Sequence, residues 1–228
     1  MTTTKTIGRP ILFSNEMVRA ILYGAKTQTR RVVNFVRGFG GISEFSVSDT
    51  TGYAWKFRDY RQRWNELRHE ELLAACPFGT VSERLRVREK WRCHLGDIDD
   101  PLTLNYAADD SVQEIDRDSV QWERCASLLD WKWHPSILMP RWATRIWLDI
   151  TDVRVERLQS ITEADSQREG VQRPILSPTE FCGMPVHPMT GYYRDGFRES
   201  WDKINKPGSQ WKDNSWVWAI TFQSGRWR

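Results

Sequence analysis

The stretch Ser82-Glu83-Arg84-Leu85-Arg86-Val87-Arg88-Glu89-Lys90-Trp91-Arg92, SERLRVREKWR, alternates without a fault. Leu85, Val87, Glu89 and Trp91 share one face and Arg84, Arg86, Arg88 and Lys90 the other, the two-residue period of a half-buried β-strand. Such a strand divides its chemistry: four cations on one side, and a single carboxylate, Glu89, among apolar neighbours on the other. A buried charge without a partner is expensive. Glu89 therefore calls either for an ion pair, with Arg30, Arg31 and Lys26 as candidates, or for a catalytic duty.

Working outward from this strand, the segment RPILFSNEMVRAILYGAK predicts a short strand at Ile11 to Phe13, then a helix capped by Ser14 with Glu16 in its first turn. Met17 with Ile21, and Val18 with Leu22, form the i, i+4 pairs of its apolar face, and Gly24 is its stop. The following GAKTQTRR, residues 24–31, concentrates polar chemistry where the helix ends and the chain heads into a strand at Val32 and Val33.

The spacing of Trp64, Leu67 and Glu71 or Leu72 predicts a surface helix within 60–75. Ile146, Leu148 and Ile150, followed by a shift to Val153 and Val155, predict a long bent strand or two strands across a bulge. Ser160 with Glu163 reads as a capping box for a helix that Gly170 ends, with Glu169 in its last turn, where the helix dipole disfavours a carboxylate. That glutamate is either solvated or held by something cationic. A helix through Phe197, Trp201 and Ile204 and a closing strand SWVWAITF complete the pattern, with LNYAAD as a further short strand. Many short strands, few helices and long loops describe an α+β protein built on a small β-barrel with flanking helices. We expect a single domain over residues 1–228, with insertions at about 34–80, 92–132 and 172–195.

A net charge of +3 supplies no global field toward nucleic acid, so any such site is local. Thirteen tryptophans serve as core anchors or as stacking platforms. Trp216 and Trp218 read as packing, whereas Trp131, Trp133, Trp142 and Trp211 lie in polar surroundings suited to contact. Cys76, Cys93, Cys125 and Cys182 form no C-x-x-C pair, which argues against zinc and for reduced thiols in a cytoplasmic protein. No run approaches the roughly 20 apolar residues of a membrane span. Phosphate-loop, dinucleotide-binding, zinc-protease and serine-hydrolase motifs are absent, and we expect no metal and no cofactor.

A helix running into Gly24-x-Lys26-x-x-Thr29-x-Arg31, then the LxVRExW strand, then LQxITExDxxxEG at 158–170, resembles the ASCH domain of the PUA-like superfamily, especially its longer phage and prophage members. The resemblance covers about 9–33, 81–92, 133–171 and 196–223. The lysine, threonine and glutamate are similar to those of small ASCH amidohydrolases that deacetylate N4-acetylcytidine. The resemblance implies Lys26, Thr29 and Glu169 as catalytic residues. The family's usual Gly-Asp turn before the strand is Ser82-Glu83 here, and the chain is much longer than those enzymes.

A threonine hydroxyl becomes a nucleophile once a base takes its proton, and a lysine whose pKa is lowered in a dry, cationic setting serves as that base. Arg30 and Arg31 would supply the setting, and Glu169 would pass a proton to the leaving amine. In an extended strand Lys26 and Thr29 point to opposite faces, so they converge only if the chain turns between them. The expected partner is a modified nucleoside or RNA, with DNA as an option. The competing reading is an RNA- or DNA-binding module without chemistry, in which Arg84, Arg86, Arg88 and Lys90 meet phosphates and Trp91 or Trp142 stacks on a base. A third is an ASCH-type ribonuclease using the same pocket.

Overall fold

The computed structural model describes residues 8–95, 101–116, 119–126, 128, 132–174 and 192–225. In chain order the elements are β1 (Arg9–Leu12), α1 (Asn15–Leu22), β2 (Gln28–Val32), β3 (Phe35–Val36), β4 (Gly40–Val47), β5 (Trp55–Asp59), β6 (Trp64–Leu67), α2 (His69–Ala74), β7 (Arg84–Arg88), β8 (Trp91–Leu95), β9 (Leu102–Tyr106), β10 (Val112–Glu114), α3 (Val120–Ala126), β11 (Trp147–Arg157), α4 (Glu163–Arg168), α5 (Tyr193–Ile204) and β12 (Trp216–Ser224). The architecture is mixed α+β, mostly sheet with a few short helices, and the strand pairings among the described residues close no barrel. No helix among the described residues is long and apolar enough to cross a membrane.

The chain groups into two compact units: Met1–Tyr23, Glu83–Asp149 and Ser224–Arg228 in the first, Gly24–Ser82 and Ile150–Gln223 in the second. In the first, β1 runs parallel to β7, with Arg9 opposite Leu85 and Leu12 opposite Arg88. On its other side β7 pairs antiparallel with the opening of β11, Trp147 opposite Arg86 and Asp149 opposite Arg84. Leu85 and Val87 are fully buried, so the alternation read in SERLRVREKWR holds, but the strand breaks at Glu89-Lys90 and resumes as β8. β8, β9 and β10 form an antiparallel meander whose inner face, with Leu102, Leu104, Tyr106 and Met139, packs around Trp91.

Helix α1 is capped as expected, the Ser14 hydroxyl accepting from Met17 N–H at 3.3 Å. Its buried face is Val18 and Ile21; Leu22, expected to be inside, is 39% exposed. The expectation of reduced thiols is overturned for one pair. Cys93 on β8 and Cys125 on α3 are joined by a disulfide, because antiparallel pairing of β8 with β9 and packing of α3 on β9 bring residues 32 apart in sequence to a Cα separation of 5.7 Å. Cys76 is free and buried, and Cys182 lies outside the described residues, as do Trp131 and most of the 172–195 loop.

In the second unit β2 pairs antiparallel with β12, Thr29 opposite Ile220 and Arg30 opposite Ala219. The 34–80 stretch forms an antiparallel sheet ordered β3-β4-β5-β6, followed by α2. The helix expected over 60–75 is therefore wrong in its first half. Trp64 to Leu67 pair with β5, whose Trp55 and Phe57 need a covering strand, and only His69–Ala74 is helical. Helix α4 is capped by Thr162, whose hydroxyl accepts from Asp165 N–H at 3.1 Å; Ser160 instead ends a short 3-10 turn before it. Helix α5 buries Phe197 and Trp201 against Leu158, Ile161 and Val217 and leaves Ile204 exposed. Its Gly196 is required, since a Cβ there would lie 2.1 Å from the carbonyl oxygen of Gln172.

Candidate functional site

Past Gly24, which turns the chain with φ +73°, residues 26–32 run extended. Lys26 forms an isolated antiparallel bridge with Glu169, and the neighbouring backbone is tied on both sides, Thr27 N–H to Arg168 O at 2.8 Å and Phe222 N–H to Thr27 O at 2.9 Å. The segment is thus threaded between the end of α4 and β12. Extended backbone sends alternate side chains to one face, and Lys26, Gln28 and Arg30 form that row, all buried.

At its centre is Glu169, the C-cap of α4 and 5% exposed. Lys26 Nζ donates to Glu169 Oε2 at 2.8 Å and to the Glu169 main-chain oxygen at 2.8 Å. Arg30 Nη1 donates to Glu169 Oε1 at 3.0 Å and to Gln28 Oε1 at 2.8 Å. The same guanidinium reaches Glu156 Oε1 through Nε at 2.9 Å and Nη2 at 2.6 Å, and Asp165 Oδ2 at 3.4 Å. Gln28 is fixed in turn by its amide donating to Thr221 Oγ1 at 3.0 Å. Each buried charge meets an opposite one, the condition for keeping charges inside. Burial pushes the Lys26 ammonium below its ordinary value; Arg31 and Arg30 push the same way, while the Glu169 carboxylate opposes them. Arg31 is likewise lowered by burial, against the pull of Glu169.

Of the three residues expected to be catalytic, two meet. Thr29 is 2% exposed but sits on β2, where alternation directs it away from the Lys26–Gln28–Arg30 row. The turn that would bring Lys26 and Thr29 together is absent, because the bridge to Glu169 and the pairing with β12 hold the backbone straight. Glu169 is held by cations rather than solvated. The 560 Å³ cleft lined by Tyr53, Lys56, Trp64, Asn65 and Glu66 contains none of these groups.

Glu89 finds its partner within the first unit, and it is Arg145, not Arg30, Arg31 or Lys26. Arg145 clamps it with two parallel bonds, Nε to Oε1 at 2.8 Å and Nη2 to Oε2 at 2.7 Å, and holds Asp109 with bonds of 3.0 and 2.9 Å. The guanidinium also donates to Ser111 and lies 4.1 Å above the Tyr106 ring. Burial raises the Glu89 carboxyl above its usual value, against Arg145. This network ties β7 to the meander and reads as structural.

Trp91, offered as a stacking platform, is 1% exposed, with its ring against His134 at 5.0 Å and edge-on to Trp142 at 5.9 Å. Trp91 is core and offers no open face to a base, and Trp142 is half-buried against it. Arg86 and Arg88 stand half-buried on the outer face of β7. Sequence reasoning missed Gln28, Glu156, Asp165, Asp109 and Arg145. Gln28 was legible as the middle of an i, i+2, i+4 row; the rest are supplied by other elements and carry no local signal. Among the described residues no three His, Cys, Asp or Glu side chains are placed to share a metal ion. Comparison with protein-family models, with curated proteins and with solved structures yields no match to this chain.

Proposed function

We propose that the chain is a metal-independent amidohydrolase that recognises a cytosine-type nucleobase and removes an N4-acyl group from it, on an ASCH-type, PUA-like fold in the cytoplasm. The observation that carries the reading is the buried pair of Lys26 Nζ and Glu169 Oε2 at 2.8 Å, contributed by residues 143 apart in sequence. A proton shared at that distance needs no shuttle. Lys26, lowered by burial and by two arginines, takes the proton of the attacking hydroxyl as a free amine and passes it across the 2.8 Å bond to Glu169. The hydroxyl oxygen adds to the acyl carbon, the C–N bond breaks, and Glu169 delivers the proton to the departing amine of the base. Arg30 holds the second oxygen of Glu169 and so aims the first. The attacking hydroxyl is that of water, which yields the free carboxylic acid directly, or, if β2 is deformed on substrate binding, that of Thr29, whose acyl ester a water molecule then hydrolyses to restore the hydroxyl.

The test is release of cytidine from N4-acetylcytidine, followed by chromatography. Wild-type release, abolished in Lys26→Met and Glu169→Gln, is the expected result. Thr29→Ala separates the two nucleophiles: loss with Lys26→Met assigns threonine, retention assigns water. No release by folded wild-type protein overturns the proposal.

A further inference from the structure

Arg86 and Arg88 lie two residues apart on β7, on the face opposite the buried Leu85 and Val87. Nη1 of Arg86 is shut off from solvent and has no hydrogen-bond acceptor, and Nε of Arg88 is in the same condition. Around Arg86 the electrostatics are positive: burial first, then Arg88 and Arg141, push its guanidinium below its ordinary value. Its cross-strand neighbours are Pro10 on β1 and Trp147 on β11, neither of which carries a charge. Arg141, exposed, stands over the Trp147 ring with its guanidinium carbon 6.0 Å from the centroid.

Arg9, Arg58 and Arg92 also shelter an unpartnered Nε, but Arg9 has Glu83 and Arg58 has Glu44 as a counter-charge, and two other guanidiniums are fully paired. Arg30 is given Glu156, Asp165 and Glu169, and Arg145 is given Glu89 and Asp109. Arg84, next in the row on β7, is taken by Asp149 at 2.5 Å. Like charges on neighbouring arginines repel one another and lower the stability of the empty state, and an anion bound by their remaining N–H donors relieves that repulsion. Guanidinium groups present paired N–H donors that match the oxygens of a phosphate, and three of them surround a tetrahedral group better than a flat carboxylate.

We propose that Arg86, Arg88 and Arg141 form a binding site for a phosphate group, carried either by a small phosphorylated ligand or by a nucleic-acid backbone. Of the four-cation row read in the sequence, Arg84 drops out through its pairing with Asp149, and Arg141, more than fifty positions downstream of Arg86, takes its place. The site does not rest on the amidohydrolase reading.

Two probes distinguish the sources: pyrophosphate, by isothermal titration calorimetry, and a labelled single-stranded oligouridine, by fluorescence anisotropy across a salt series. Wild-type protein is expected to bind at least one of them, with Arg86→Gln and Arg141→Gln each weakening it about tenfold and Arg84→Gln leaving it within about twofold. With the oligonucleotide, each of the first two changes also lowers the slope of log affinity on log salt by about one. Binding of pyrophosphate alone assigns a small ligand, and of the oligonucleotide alone a backbone. The Arg141 side chain is exposed and makes no hydrogen bond among the described residues, so its variant folds even if Arg86→Gln does not, which circular dichroism checks. A wild type that binds neither probe, or binding unchanged in Arg141→Gln and a folded Arg86→Gln, overturns the proposal.

Discussion

Glu169 Oε2 accepts from Lys26 at 2.8 Å while Arg30 holds its other oxygen, so one carboxylate at the end of a six-residue helix neutralises two cations on a neighbouring strand. Removing one member strands the others. Glu169→Leu is expected to destabilise the protein by about 3–5 kcal/mol, and Lys26→Met made in that background to restore part of the loss, giving a coupling energy of at least about 1 kcal/mol in a double-mutant cycle. Urea denaturation of the four proteins measures it. Strictly additive effects would show that the pair is a geometric coincidence.

Among the described residues Arg145 is the one counter-charge of Glu89. Arg145→Met leaves Glu89 and Asp109 facing each other without their shared cation, and we expect a loss of about 3 kcal/mol or more. Glu89→Gln alone should cost less, because Asp109 still satisfies Arg145. The order of the two melting temperatures by calorimetry decides the matter, and the reverse order would mean that Glu89 and not Arg145 organises the network.

The carboxyl of Asp59 is held below its ordinary 3.8 chiefly by the backbone N–H of Arg63, against burial, with the Arg63 guanidinium, Asn65 and the N–H of Arg61 adding to the effect. A depressed carboxyl contributes stability that is present above its unfolded pKa and lost as pH falls through its folded pKa. The stability gap between wild type and Asp59→Asn should therefore be constant at neutral pH and shrink below about pH 4, read by urea melts across a pH series. A gap that does not change with pH would contradict the assignment.

The Cys93–Cys125 bond closes a loop of 32 residues in the first unit. Its reduction is expected to lower stability by about 4 kcal/mol on the loop-entropy account. Mass spectrometry after alkylation shows whether the thiols are protected, and melts with and without dithiothreitol show the loss. Complete alkylation of the native protein without reductant would mean that the two cysteines are thiols in solution.

The strand alternation of SERLRVREKWR, the cap at Ser14, the stop at Gly24 and the closing strand at Trp216–Ser224 were all legible, because each depends on residues a few positions apart. The helix expected at 60–75 failed at its beginning for the opposite reason. Trp64 and Leu67 satisfy a helical spacing, but strand β5 offers the segment a ladder of hydrogen bonds, with Leu67 opposite the buried Trp55 and the exposed Trp64 ring under the Arg58 guanidinium. Tertiary pairing overrode a weak local preference.

By itself the sequence determined the alternation of β7, the cap and the stop of α1 and the closing strand, and that Lys26 and Thr29 point apart wherever the chain between them is extended. Only the tertiary structure decided whom those residues meet: Glu169 for Lys26, Arg145 for Glu89, Cys125 for Cys93. Periodicity is a property of neighbouring residues along the chain. Charge pairing depends on which elements the packing of apolar faces brings side by side, and an arginine 56 residues away carries no mark of it in the local pattern.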